Sequence, residues 1–296
     1  MTGQREEPEA GAGGGVNAGG ADLAELVELA CAVAQETGEL LLSRHGQAGV
    51  VDTKSSPTDI VTEMDRAAEE LIRQRILAAR PGDAILGEEG GQTGTGAAVR
   101  WIVDPLDGTV NYLYGLSDWA VSIAAELDGA VVAGAVSVPL HRSLFAAVAG
   151  GGAWLRSAWE AEPGDGRAVP RRLSCTTGIT LPQALVGTGF GYEAARRAVQ
   201  GEVVAALLPR VRDIRRGGAA AVELCSVAAG RLDAFYERGL HPWDVAAGGL
   251  IAAEAGATVG GLHGRPASES LTIAAGPGLF TELHDALAGL DPERDA

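Results

Sequence analysis

A short apolar run at residues 99–103 ends in Asp104-Pro105-Leu106-Asp107-Gly108-Thr109, and no other stretch constrains the fold as tightly. The run has the length and β-branched content of a buried strand, so Asp104 is expected as the first residue past its end. Pro105 bars Asp104 from the α region and fixes its own φ, so the chain is expected to turn there, with both acidic side chains converging beyond the strand. A short helical segment is expected to start at Gly108-Thr109, aiming free backbone N–H groups at the same point. Carboxylates beside anion-binding amides imply a cation between them. Hard oxygen ligands suit Mg²⁺, which takes one or two carboxylates together with water and a substrate phosphate. An acidic turn that caps a helix would use the same residues, because Asp favours turns and N-caps.

A chain of 296 residues can bury one large or two modest cores. Its 46% hydrophobic and 21% charged residues are those of a soluble globular protein. A net charge of −16 argues against nucleic acid as a direct partner, which would need basic stripes. An anionic substrate stays compatible, since a divalent cation reverses the local sign of the potential. Cys31, Cys175 and Cys225 form no close pair, as expected of reduced, buried thiols in a cytoplasm. No apolar run is long enough to span a membrane, and the N-terminus has no basic-then-apolar signal pattern.

Residues 1–20 are Gly, Ala and Glu with little to bury and are expected to form a disordered leader. Helical spacing of Leu23, Leu26, Val27, Ala30, Val33 and Leu41 predicts a helix over 22–44 with Gly46 as its stop. A second helix is expected over 63–79, with Ala68, Leu71, Ile72, Ile76 and Ala79 on its apolar face. Strands are expected at 84–87, 99–103, 119–127, 130–138 and 143–148, the third and fourth joined by the hairpin signal Asp128-Gly129. The glycines at 150–152 and the charged stretch 160–172 suggest a boundary between an α+β domain (21–153) and an α/β domain (154–296). Past it, strands at 184–188, 211–215, 232–236 and 271–275 alternate with helices at 193–208, 219–229, 245–255 and 279–288, the pattern of a layered α/β domain. The glycines of 187–191 lack the offset of a dinucleotide loop and read as a tight turn.

Two further acidic points match the first. Glu88-Glu89 follows another expected strand end, and carboxylates at neighbouring strand ends can share a cation that makes their repulsion tolerable. Asp244 lies where a strand turns into a helix, so it is either a cap or a third ligand that brings the site to a cleft between the halves. His45 and His241 have no partner pattern and read as structural.

Gly87-Glu88-Glu89, Trp101 through Asn111, Trp243-Asp244-Val245-Ala246-Ala247-Gly248 and Glu254-Ala255-Gly256, in this order, resemble the inositol monophosphatase family of Mg²⁺-dependent phosphatases. The resemblance runs from about Leu23 to the C-terminal region. It implies an α/β fold layered as an αβαβα sandwich whose first sheet is rich in antiparallel strands. Carried over residue by residue, it implies one Mg²⁺ on Glu88, Asp104 and the Leu106 carbonyl, a second on Asp104, Asp107 and Asp244, and a third, weaker ion near Glu88. It also implies a water oriented by Thr109, hydrogen-bonded to Asp65, with Glu88 helping to take the proton. Phosphate oxygens would meet the amides of Gly108 and Thr109, and a substrate hydroxyl would meet Glu237 and the Ala220 amide. The loop Lys54 to Asp59 resembles one that closes over the site, and Ala219 replaces a hydroxyl residue that many relatives carry.

The expected substrate is inositol 1-phosphate, with lithium inhibition and a cytoplasmic homodimer implied by the same resemblance. Fructose 1,6-bisphosphate, NADP, nucleotide 3′-phosphates and histidinol phosphate are alternatives, as is binding to the transcription machinery. A substrate with a second phosphate or an adenine would want extra basic or stacking residues near Glu237, and none stands out in the sequence.

Overall fold

The computed structural model describes residues 22–46, 50–53, 60–157 and 170–294. The leader at 1–20, the loop 54–59 and most of the charged stretch 160–172 lie outside the described residues.

Helices α1 (Leu23–Arg44) and α2 (Glu63–Ala79) frame a short antiparallel pair, β1 (Val50–Thr53) and β2 (Ile60–Thr62). Strands β3 (Ala84–Gly87), β4 (Gly91–Thr93) and β5 (Val99–Asp107) follow, then the single turn α3 (Thr109–Leu113). Next come β6 (Ala120–Leu127), β7 (Ala130–Val138), β8 (Ser143–Val148), β9 (Gly152–Ser157) and β10 (Arg171–Arg172). All eight strands from β3 to β10 form one sheet in the order β10-β9-β8-β7-β6-β5-β3-β4. Every pairing in it is antiparallel except β3 with β5. The β6–β7 hairpin turns at Asp128 and Gly129, both at positive φ (51° and 80°), as the Asp-Gly signal requires.

The second half contributes β11 (Leu185–Thr188), α4 (Ala194–Leu207), β12 (Asp213–Arg215), α5 (Ala220–Ala228), β13 (Ala234–Glu237), α6 (Pro242–Glu254), β14 (Thr258–Gly260), β15 (Thr272–Ala275) and α7 (Pro277–Ala288). Its sheet runs β12-β11-β13-β15-β14, parallel on the β12 side and antiparallel on the β15 side. The apolar clusters place the layers. α1 and α2 pack on one face of the large sheet around Leu26, Ile72 and Trp101, and α5 and α6 pack on the other around Cys225 and Ile251. α5 and α6 also bury Leu224 and Ala252 toward the second sheet, whose outer face α4 and α7 cover with Val203 and Leu283. The result is the expected five-layer αβαβα stack. Among the described residues no helix is long and apolar enough to cross a membrane, and all three cysteines are free.

Three local expectations change. The strand carrying the acidic pair continues to Asp107, with Asp104 opposite Ser122 and Asp107 opposite Ala120 across a register shift. Pro105 falls inside that irregularity, where its missing N–H costs no ladder bond. The buried face of α2 is Met64, Asp65, Ala68, Glu69, Ile72 and Ile76, with Ala79 exposed, so two carboxylates stand among its apolar residues. Finally, α6 begins at Pro242, which makes Asp244 its third residue.

Candidate active site

Strand pairing assembles the first carboxylates. Because β3 runs parallel to β5 and ends at Gly87 beside Val103, Glu88 emerges next to Asp104 while β5 runs on along β6. Asp104 is buried, and its Oδ1 accepts the Leu106 N–H at 3.0 Å, which bends the chain at the bulge. Asp107 reaches into the other half. Its Oδ1 accepts the Ala220 N–H (3.2 Å) and its Oδ2 the Ala221 N–H (2.7 Å), the first amides of α5. The N-cap of α5 is Ala219, which has no side-chain acceptor. Asp107 therefore caps α5 from a distant strand and places its charge at the positive end of the helix. The Ala220 amide, expected to meet a substrate hydroxyl, is already bonded to Asp107.

Gly108 adopts φ +87°, and a Cβ there would lie 2.9 Å from the Asp118 carbonyl, so only glycine allows the turn from β5 into α3. The next residue, Thr109, has its Oγ1 within reach of Asp65 Oδ1 (3.0 Å) and the Leu106 carbonyl (3.1 Å). Asp65 is fully buried at the start of α2, where its Oδ2 accepts both the Thr62 N–H (2.8 Å) and the Thr62 O–H (2.6 Å). The helix cap and the Thr109 contact thus use different oxygens of one carboxylate. Asp244 repeats the arrangement on α6, its Oδ2 accepting the His241 N–H at 2.7 Å. The His241 ring lies flat on Trp243, 5.0 Å between centroids.

Glu88, Asp104, Asp107, Thr109, Glu237 and Asp244 line one cleft of about 430 Å³ between the two halves. Leu106, Gly108 and Ala220 line it as well, and Asp65 acts from behind through Thr109. Burial first, then repulsion from Glu88, Asp107 and Asp244, pushes Asp104 well above the ordinary carboxylate range. Asp107 is pushed up to about 8 by burial and Asp244, against the pull of the Ala221 and Ala220 amides. Glu237 also rises to about 8, through burial and the Asp244 and Asp107 charges, with Arg216 opposing. Among the described residues no three of these acids converge into a ready-made coordination sphere. Hydrogen bonds hold Asp107 and Asp244 to their helix ends, while like charge resists closer approach. The donor set nevertheless fits a hard cation. It is all oxygen, and burial together with mutual repulsion raises the proton affinity of Asp104, Asp107 and Glu237, a cost that a bound cation would relieve.

Sequence reading misses two groups of residues. Glu69, buried on α2, accepts the amides of Glu89 (2.7 Å) and Gly90 (2.8 Å). A carboxylate on the apolar stripe one turn after Asp65 was the available signal. Arg196, Arg216 and Arg238 line the cleft together with Glu237, as do Phe190 and Tyr192 from the turn after β11. Basic and aromatic residues thus do stand beside Glu237, brought there from three separate segments.

The inositol monophosphatase family model matches residues 22–290. Inositol-1-monophosphatase SuhB of Mycobacterium tuberculosis is 48% identical over 264 residues, covering 86% of this chain and 88% of that protein. Nus factor SuhB of Escherichia coli is 36% identical over 242 residues, covering 81% and 86%. The solved structure of Mycobacterium tuberculosis SuhB superposes with a TM-score of 0.75 at 42% identity, covering 92% of this chain and 98% of that one. A family match over nearly all the described residues, joined to these identities, shows that the chain belongs to the inositol monophosphatase family.

Proposed function

We propose that the cleft hydrolyses a phosphomonoester, inositol 1-phosphate foremost, with two to three Mg²⁺ held by Glu88, Asp104, the Leu106 carbonyl, Asp107 and Asp244. The observation that carries this reading is the contact from Thr109 Oγ1 to Asp65 Oδ1, which spans 44 residues to hold a hydroxyl beside the buried acids. Bound Mg²⁺ supplies Lewis-acid polarisation of the phosphoryl group and acidifies water beside it. Thr109, donating to Asp65, keeps its lone pairs turned outward to orient the attacking water, and Glu88 takes up its proton. The Gly108 and Thr109 amides hold phosphate oxygens, and Glu237 meets a substrate hydroxyl.

Arg196 and Arg216 favour a second reading, in which the substrate carries a further phosphate. One panel of monophosphates and bisphosphates, assayed with Mg²⁺ and after chelation, tests both. Inositol 1-phosphate hydrolysis that stops on chelation supports the first reading, and robust turnover without divalent cation would sink it. If Arg216→Ala lowers kcat/KM roughly 10-fold for bisphosphates and leaves monophosphates unchanged, the second reading holds. Identity to a protein named Nus factor supports a binding role alongside, which capture of RNA polymerase by a catalytically inactive variant would test. A cytoplasmic homodimer, implied by the resemblance, is checked by sedimentation and fractionation.

Proton release should accompany Mg²⁺ uptake. Asp107, pushed up to about 8, holds a proton at pH 7 that the cation must displace, and Asp104 is raised in the same direction. Mg²⁺ affinity should therefore rise with pH up to about 8. Titration heats at pH 7 should differ between buffers of different ionisation enthalpy, by roughly one proton or more per site filled. Buffer-independent heats would show that the acids are already ionised.

A further inference from the structure

Asp65, Glu69 and Arg73 occupy successive turns of α2 and form a polar stripe on a face otherwise committed to the core. Asp65 holds Thr109. Glu69 is 3% exposed, and its Oε2 accepts the Glu89 N–H at 2.7 Å while its Oε1 accepts the Gly90 N–H at 2.8 Å. Arg73 neutralises it, Nε to Oε1 at 2.8 Å, and donates onward to the Gly91 carbonyl (2.6 Å) and Thr93 Oγ1 (2.8 Å). The turn that carries Glu88 is thus fastened at four points after it, at Glu89, Gly90, Gly91 and Thr93. The glycines of Gly87-Glu88-Glu89-Gly90 fit this clamp. A Cβ at Gly87 would lie 2.6 Å from the Glu69 carboxyl, and one at Gly90 would lie 2.7 Å from Oε1. The glycines bracket Glu88 because the Glu69 carboxylate occupies the space their side chains would fill.

We propose that Glu69 is the positioning residue of the cation site, clamping the turn at residues 88–90 so that Glu88 is held at the β3 edge beside Asp104. The inference rests on the hydrolase reading for what Glu88 binds, and on hydrogen bonds alone for the clamp. Glutamine at position 69 has one carbonyl oxygen for two amide donors, and its NH₂ would face an N–H. The turn is then half released while the chain's fold is kept.

In Glu69→Gln, Mg²⁺ affinity measured by calorimetry should fall at least about 10-fold, the size expected when a group supporting a ligand is lost. Turnover at saturating Mg²⁺ should stay within about threefold. Hydrogen exchange at the Glu89 and Gly90 amides should speed up by about 10-fold or more. Glu70→Gln removes the same charge from the neighbouring exposed position, where Gln74 is its partner, and should change none of these. Gly90→Ala reaches the clamp without altering the buried helix face and should lower Mg²⁺ affinity in the same direction. Wild-type affinity in Glu69→Gln, or an equal loss in Glu70→Gln, would overturn the proposal. Should Glu69→Gln not fold, wild-type affinity in Gly90→Ala would do the same. Failure of the hydrolase reading would appear first in the wild type, as no Mg²⁺ binding, with exchange rates still deciding the clamp.

Discussion

Asp104→Asn is expected to abolish phosphate release at any Mg²⁺ concentration while leaving the melting temperature of the cation-free protein equal to or above that of the wild type. Asp104 is the acid placed between the others, its proton affinity raised by burial and then by Glu88, Asp107 and Asp244. A carboxylate with a raised folded-state pKa favours the fold fully below its unfolded value of 3.8, and that contribution is lost as pH climbs toward the folded value. At neutral pH the cation-free protein therefore bears a cost that asparagine removes. Asparagine can still accept the Leu106 N–H on its oxygen, and its NH₂ can donate to Glu88, whose side chain also hydrogen-bonds Asp104. Asp107→Asn should be equally inactive but should melt lower, because its two oxygens accept from Ala220 and Ala221 and an amide can replace only one of them. Melting curves without cation, beside phosphate release with it, check both variants. Near-normal turnover in either would remove that residue from the cation site, and a lower melting temperature for Asp104→Asn would contradict the repulsion among the acids.

Asp65→Asn should lose turnover by roughly 10²-fold or more, the scale of a lost proton-transfer partner, with KM within about threefold. The cap accepts two donors from Thr62 on Oδ2, and Thr109 lies near Oδ1. Asparagine best keeps its oxygen toward Thr62 and turns its NH₂ to Thr109. The cap then survives, and stability should fall by no more than about 1 kcal/mol. Thr109 would have to accept from the amide and donate to the Leu106 carbonyl 3.1 Å away, which misdirects its lone pairs from the attacking water. Thr109→Ser, which keeps the hydroxyl, should retain most activity, and Thr109→Val should mimic Asp65→Asn. A variant of Asp65 that melts several degrees lower yet turns over normally would leave the residue as a helix cap alone.

Local chemistry made much of this protein legible from its residues. The Asp-Gly hairpin, the helical spacing of α1 and the turn of Gly108 into α3 are each set by neighbours in the chain, through φ preferences and the 3.6-residue period. The acids Glu88, Asp104, Asp107 and Asp244 stand out for the same reason, beside a proline, a glycine turn or a helix start, although β5 carries Asp104 and Asp107 further into the sheet than their neighbours suggest. What tertiary structure alone decided is which of those atoms meet. The fold divides Asp65 between two uses, one oxygen for the helix cap and the other for Thr109. Asp107 caps a helix that begins 113 residues away, a pairing that no local pattern encodes. The roles of Glu69, Arg196 and Arg216 could not be read because the amides and the acid they stand beside come from other segments, and sequence spacing carries no information about contacts that only layer packing creates. Pro105 shows the opposite limit. Its local preference for breaking a strand was absorbed by a bulge, where no ladder bond is required of its nitrogen and β6 pairs on either side.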